Sequence, residues 1–256
     1  MTQPEPVEAQ GLSQAATAAL IVAFSGLVLA QLTAWLGEVK DALLGGVAGI
    51  FNLTAFGALS DSWDRRVDLL MTDLMRAARR GWEETADQLG LRIPFDPNDP
   101  ILVEQLARTR NLLVRIDEEV YRMVVKAIAD GTDRGESPTQ IAARIDNILS
   151  VTGSENWPNR ADVIARTEVT RFTEAGALSV AQRWQIRTGR ILDKQWIDRD
   201  DSRVRQAHRA VDGEHVPLWA LFQVGMSLLR YPGDPSGLPH DVINCRCHLR
   251  FVEVRP

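Results

Sequence analysis

Cysteine is scarce in this chain: 256 residues hold two, Cys245 and Cys247, with one residue between them. A disulfide framework needs more partners, so a secreted, disulfide-held fold is not expected and a reduced cytosolic compartment fits better. Basic charge is also short. Twenty-nine Lys and Arg stand against 34 Asp and Glu, a net charge of −5 that excludes a uniformly basic nucleic-acid coat. The first ten residues carry two glutamates and no Lys or Arg, so the apolar stretch behind them lacks the basic start of a signal peptide. There is no phosphate-cradling glycine loop, no Gly-x-Ser-x-Gly elbow and no His-Glu-x-x-His. Glu168 and Glu174 are six apart and do not share a helix face, which argues against a paired-carboxylate hydrolase. Internal repeats and low-complexity tracts are missing too.

What is present is ordinary globular material, 45% hydrophobic and 25% charged, and long enough to bury a sizeable core. Charge is uneven: residues 1–150 hold 14 basic against 21 acidic groups, and residues 151–256 hold 15 against 13. The second half is thus the better partner for DNA or an acidic protein surface. Residues 15–30 are apolar except for Thr17 and Ser25, and extending the run to Leu36 reaches the roughly 20 residues of a membrane span. Two readings stand, a buried helix or a membrane-active segment. Trp63, Val67, Leu70, Leu74, Ala78, Trp82 and Leu89 recur at helical spacing, with Asp61 or Ser62 as a start and Gly90 as a stop. The prolines at 94, 97 and 100 break the pattern. A helix then runs from Asp99 to Gly131, and Ser137-Pro138 opens another.

Residues 151–159, polar with Gly and Pro, make the best boundary between a helical module (1–150) and a second domain (151–256). That second domain reads as a helix from about 161 to 188 and a strand from Ile191 to Ile197. A short helix from Ser202 to Val211, a proline-punctuated loop to Asn244 and a strand from Cys245 to Val254 complete it. The expected class is α+β: an elongated, mainly helical N-terminal half, then a small α+β domain with a long loop-rich insertion.

Four features follow in fixed order along the second half. Ala165-Arg166-Thr167-Glu168 lies inside the helix. Trp196 precedes Asp201-x-Arg203-Val204-Arg205-x-x-His208. Asp212-Gly213, Phe222 and Pro232-Gly233-Asp234-Pro235 come next, and Asn244-Cys245-Arg246-Cys247 comes last. This ordered series resembles the C-terminal domain of phage Mu F-like head-morphogenesis proteins over roughly residues 160–250. The resemblance implies a minor head protein associated with the portal and the head interior, assisting assembly, DNA packaging or DNA delivery. It implies a virion location, with host cytoplasm during assembly. Portal and major capsid protein would be partners, with packaged DNA as a further one, and the chain would be a low-copy or oligomeric component. No catalytic residues come with it, and no enzyme activity is expected. A membrane-active ejection protein acting through residues 15–36 is the alternative. An ADP-ribosyl transferase-like toxin is a weaker one, since no Glu-x-Glu triplet occurs.

The residues themselves add chemistry. If 245–254 is a strand, Cys245 and Cys247 face one way, while Arg246, His248 and Arg250 face the other. Cys245, Cys247 and His208 then offer three zinc ligands, with His240 or Asp201 as a fourth. The spacing of one residue is shorter than zinc motifs favour. The bland alternative makes the cysteines small buried hydrophobes and lets His208 hydrogen-bond a loop carbonyl; a vicinal redox pair is the third reading. For the arginines, one reading is a phosphate-facing patch of Arg205, Arg209, Arg246 and Arg250. The other has Arg166, Arg203 and Arg246 anchor the proline loop through Asp201, Asp234 and Asp241.

Overall fold

A computed structural model describes residues 7–45, 53, 56–150 and 156–254. In chain order it holds β1 (Glu8–Ala9), α1 (Gln14–Leu44), α2 (Phe56–Gln88), α3 (Pro100–Leu113), α4 (Ile116–Asp133), α5 (Pro138–Leu149) and α6 (Asn156–Thr188). There follow β2 (Ile191–Ile197), α7 (Gln206–Ala210), β3 (His215–Pro217), β4 (Phe222–Val224), β5 (Ser227–Leu229), α8 (Pro239–Val242) and β6 (His248–Val254). The protein is α+β, as expected. Of the expected boundary at 151–159, residues 151–155 lie outside the described set and 156–159 belong to α6.

The chain forms two compact units that interleave along the sequence. One comprises residues 1–24, 72–108 and 163–256; the other comprises 25–71 and 109–162.

The second unit is helical. From α1 it buries Val28, Leu32, Trp35, Leu36, Val39 and Leu43, steps of three and four that define one face of a helix. Trp35 and Trp63 pack with ring centroids 5.2 Å apart. Each indole finds a backbone acceptor: Trp35 donates to the Leu59 carbonyl (2.7 Å) and Trp63 to the Leu113 carbonyl (2.8 Å). The second bond explains a departure from the sequence reading. The helix expected from Asp99 to Gly131 is two helices, α3 and α4, parted at Val114 and Arg115. Leu113 would accept from Asp117 in a continuous helix; Trp63 takes that carbonyl instead, and a side chain inserted into the ladder ends the run. Asp117, Glu118 and Glu119 then fill the first turn of α4, where the helix dipole favours acids. The α5 start follows expectation: Ser137 and Gln140 form a reciprocal capping box, with Pro138 in the first turn.

Helix α2 starts at Phe56 rather than at Asp61 or Ser62, and it stops as the sequence suggests. Gly90 has φ +66°, and the Leu91 amide reaches back to the Ala86 carbonyl at 2.8 Å. Within the first unit the C-terminal parts of α2 and α6 meet backbone to backbone. A Cβ on Gly176 would lie 2.1 Å from the Ala78 carbonyl oxygen, and one on Gly81 would lie 2.2 Å from that of Thr173. Trp82 and Val180 pack beside this crossing, and Trp184 donates to the Leu89 carbonyl at 3.0 Å.

A four-stranded antiparallel sheet, ordered β1-β6-β2-β3, belongs to the same unit. Its two central strands pair along their full length, from Ile191 opposite Val254 to Ile197 opposite His248. The N-terminal strand closes one edge through Glu8 opposite Val252 and Ala9 opposite Phe251. Leu192, Lys194 and Trp196 on β2 and Leu249 and Phe251 on β6 point inward, the period-two pattern of a half-buried sheet. Strands β4 and β5 form a hairpin inside the stretch expected to be loop.

Candidate metal centre and loop-docking site

Helix α6 carries most of the site because it is buried on nearly all sides in its middle, from Thr167 to Ala181. Polar residues there must find partners inside the protein. Arg171 is 3% exposed and donates to Glu168 (2.8 Å) and to the Gly233 carbonyl (2.6 Å). The ion pair thus grips the Pro232-Gly233-Asp234-Pro235 turn. One turn earlier, Arg166 donates to the Asn244 side-chain oxygen (3.1 Å), and the Thr167 hydroxyl accepts from the Asn244 amide (3.0 Å). Asn244 has φ +59°, a left-handed conformation that asparagine tolerates better than most residues. The Ala-Arg-Thr-Glu segment and Arg171 just after it therefore hold both ends of the loop between residues 230 and 245.

The loop is tied internally as well. Asp234 is fully buried and accepts from the Arg230 amide and guanidinium and from Ser236. Burial pushes its carboxyl up, but the Arg230 and Ser236 bonds outweigh this and hold it below the usual carboxylate range. Asp241 accepts from Ser227 at 2.6 Å. Lys194 is buried on β2, donates to the Arg230 carbonyl (2.7 Å) and lies over the Phe222 ring; desolvation brings its ammonium down to about 7.

The expected arginine anchors are re-sorted. Arg246 alone makes the anticipated pair of bonds to Asp201, both 2.6 Å, and these hold the Asp201 carboxyl far below its ordinary range. Arg203 approaches Asp201 only at 3.8 Å and is mostly exposed, whereas Asp234 is served by Arg230. Of the expected phosphate-facing set, Arg205 donates to the Ile243 carbonyl and Arg209 to the Asp201 carbonyl (2.9 Å), so these bonds run within the protein. Arg250 is half-buried on β6.

His208, Cys245 and Cys247 come together as expected, all buried, with their ligand-type atoms within 4.8 Å of one another. The geometry differs from the strand expected. Strand β6 begins at His248, and both cysteines stand in the irregular segment just before it. Alternation still operates: Cys245, Cys247 and Leu249 are buried, while Arg246, His248 and Arg250 are less so. His208 lies on α7, which spans five residues rather than the ten expected. Its Nδ1 is 3.3 Å from Cys247 Sγ and 3.6 Å from Cys245 Sγ, and its Nε2 is 2.8 Å from the Asp241 carbonyl. The loop-carbonyl bond of the bland reading is therefore present together with the cluster. Trp196 covers the imidazole edge-on at 5.6 Å. The Cys247 thiol, with help from His208, pulls the Cys245 thiol well below its usual range, whereas Cys247 itself is pushed up by the same contact and by burial.

Neither expected fourth ligand joins. Asp201 turns both carboxylate oxygens to Arg246, and His240 is exposed beside Asp241. Sequence reading also missed Arg171, Lys194 and Arg230. Arg171 and Arg230 pair with acids three and four residues away and also reach distant groups, the Gly233 carbonyl and Glu104, while Lys194 is held by the distant Arg230 carbonyl.

Buried ion pairs and a left-handed asparagine, spent on holding a loop against a helix, mark a structural domain built around one long buried helix. A family profile described as phage Mu protein F-like protein matches residues 122–250, and the chain belongs to that family of phage head proteins. The match begins ahead of the resemblance read from motifs and takes in most of α4 and all of α5. The minor head protein GP7 of Bacillus phage SPP1 is 29% identical over 174 residues, covering 66% of this chain and 53% of that protein. The chain thus spans about half the length of this curated relative. No solved structure matches.

Proposed function

We propose that the protein is a non-enzymatic minor component of the phage head, placed in the head interior beside the portal, where it assists assembly, DNA packaging or DNA delivery. The observation that carries this reading is how the family motif is spent. Arg166, Thr167 and Glu168 with Arg171 bind Asn244 and Gly233 of the same chain, and Arg246 binds Asp201. Groups tied down in this way build a rigid surface rather than a reactive cleft. Arg246 is neutralised by Asp201, which favours a protein-facing role over a phosphate-binding one for that residue.

The test is co-expression of the full chain with the portal protein of the same phage, followed by affinity capture of the portal. A stable complex is expected, as is a loss of infectious particles when the gene is deleted. Normal assembly, packaging and infection without the protein would refute the proposal, as would turnover of nucleotide, peptide or DNA by the purified chain.

A second reading rests on α1, which is long and apolar enough to cross a membrane, and on Val22, which is exposed there. Flotation of the full chain with liposomes separates the two, since a head-interior scaffold stays in the dense fraction.

A further inference from the structure

We propose that His208, Cys245 and Cys247 bind one Zn²⁺, which pins the end of the 212–244 loop to α7. Tetrahedral zinc has Zn–S near 2.3 Å and Zn–N near 2.0–2.1 Å, which sets nitrogen–sulfur separations of about 3.5 Å around the ion. The two separations in the structure, 3.3 and 3.6 Å, bracket that value.

Tautomer logic points the same way. A backbone carbonyl only accepts, so Nε2, 2.8 Å from the Asp241 oxygen, carries the imidazole proton. In the neutral imidazole Nδ1 then faces both sulfurs with its lone pair. A second nitrogen donating to a carbonyl is the arrangement that orients metal-ligating histidines. As a hydrogen-bond acceptor Nδ1 can take only one S–H, and the second thiol must then turn to the neighbouring sulfur. A metal uses all three atoms at once.

Charge balances as well. Binding releases the two thiol protons to solvent, and two thiolates neutralise the dication, so the buried site carries no net charge. Two thiolates and an imidazole favour zinc over magnesium or calcium, which prefer oxygen. A cavity of about 20 Å³ adjoins all three side chains, bordered by Asn244 and several arginines. That is room for one water, which completes the tetrahedron in place of a fourth side chain. The one-residue spacing of the cysteines suits this site because burial alternates along 245–249 and puts both thiols on the buried side.

The full chain, produced without a His tag and dialysed against zinc and then zinc-free buffer, should retain close to one zinc per chain by elemental analysis. Cobalt(II) exchanged into the wild-type protein should show thiolate-to-metal charge transfer and the strong visible bands of tetrahedral coordination. Cys245→Ser and His208→Gln should each weaken zinc binding by at least about tenfold, while His240→Ala keeps it. Substoichiometric zinc in the wild type, a Cys245–Cys247 disulfide, or cobalt without charge transfer would overturn the proposal. Loss of zinc in His240→Ala would overturn the water-completed site. If the cysteine variant fails to fold, the wild-type cobalt spectrum decides alone. None of these readouts depends on the portal, so this proposal and the functional one fail separately.

Discussion

Asn244 does three jobs in one residue. It supplies the left-handed turn before the cysteines, offers its amide to Thr167 and accepts from Arg166. The energetic parts can be separated. Asn244→Ala forces a Cβ without polar compensation into the left-handed region, at about 1–2 kcal/mol, and loses a hydrogen bond to a charged group, at about 1.5 kcal/mol or more. Asn244→Gly loses the bond but relaxes the backbone. Urea denaturation should therefore rank wild type above Gly and Gly above Ala; equal stability of the two variants would show that the backbone conformation carries no cost. The Asn-Cys-Arg-Cys motif marks this residue in the sequence. Its partners on α6 are 77 and 78 positions away, and no local pattern joins them.

At the scale of elements, helix periodicity was legible where one face is buried, as along Trp63 to Leu89. It failed where a distant side chain intervened, because the break after Leu113 depends on the Trp63 indole, 50 residues away. Glycine shows a similar divide. Gly81 and Gly176 look like weak points in α2 and α6, yet they let the two backbones touch. Gly176→Ala should cost about 3 kcal/mol or more, since the 2.1 Å clash is with a carbonyl oxygen rather than a flexible tip. Gly26→Ala is the contrast: its Cβ meets nothing within 4 Å, and removing a helical glycine should stabilise by about 0.5–1 kcal/mol. Thermal melts of the two variants should shift in opposite directions. A shift of the same sign would contradict this account of the close approach.

At the scale of the whole molecule, the compact units do not respect a cut at residue 150. The first unit draws on residues 1–24, 72–108 and 163–256, and the second needs 109–162. A fragment of residues 1–150 lacks α6 entirely and uncovers the part of α2 around Gly81 and Trp82 that packs against it. Such a fragment should oligomerise or precipitate, and a monodisperse, cooperatively melting monomer in ultracentrifugation and calorimetry would contradict the interleaved arrangement.

What the residue order determined by itself is whatever short-range physics encodes. The helical faces, the Ser137 cap, the Gly90 stop and the strand 191–197 all follow from spacing and local conformational preference, while the last strand, expected from Cys245, begins at His248. That the two cysteines share a side was foreseeable, because alternation along the chain is local; their meeting with His208 spans 37 and 39 residues. Tertiary structure alone decided which charges may be buried, where Pro100 to Asp133 breaks and which glycines are contacts. It also decided that Asp201 serves Arg246 instead of a metal. Those outcomes depend on groups brought together by chain closure over tens of residues, where burial makes a single partner worth more than any local propensity.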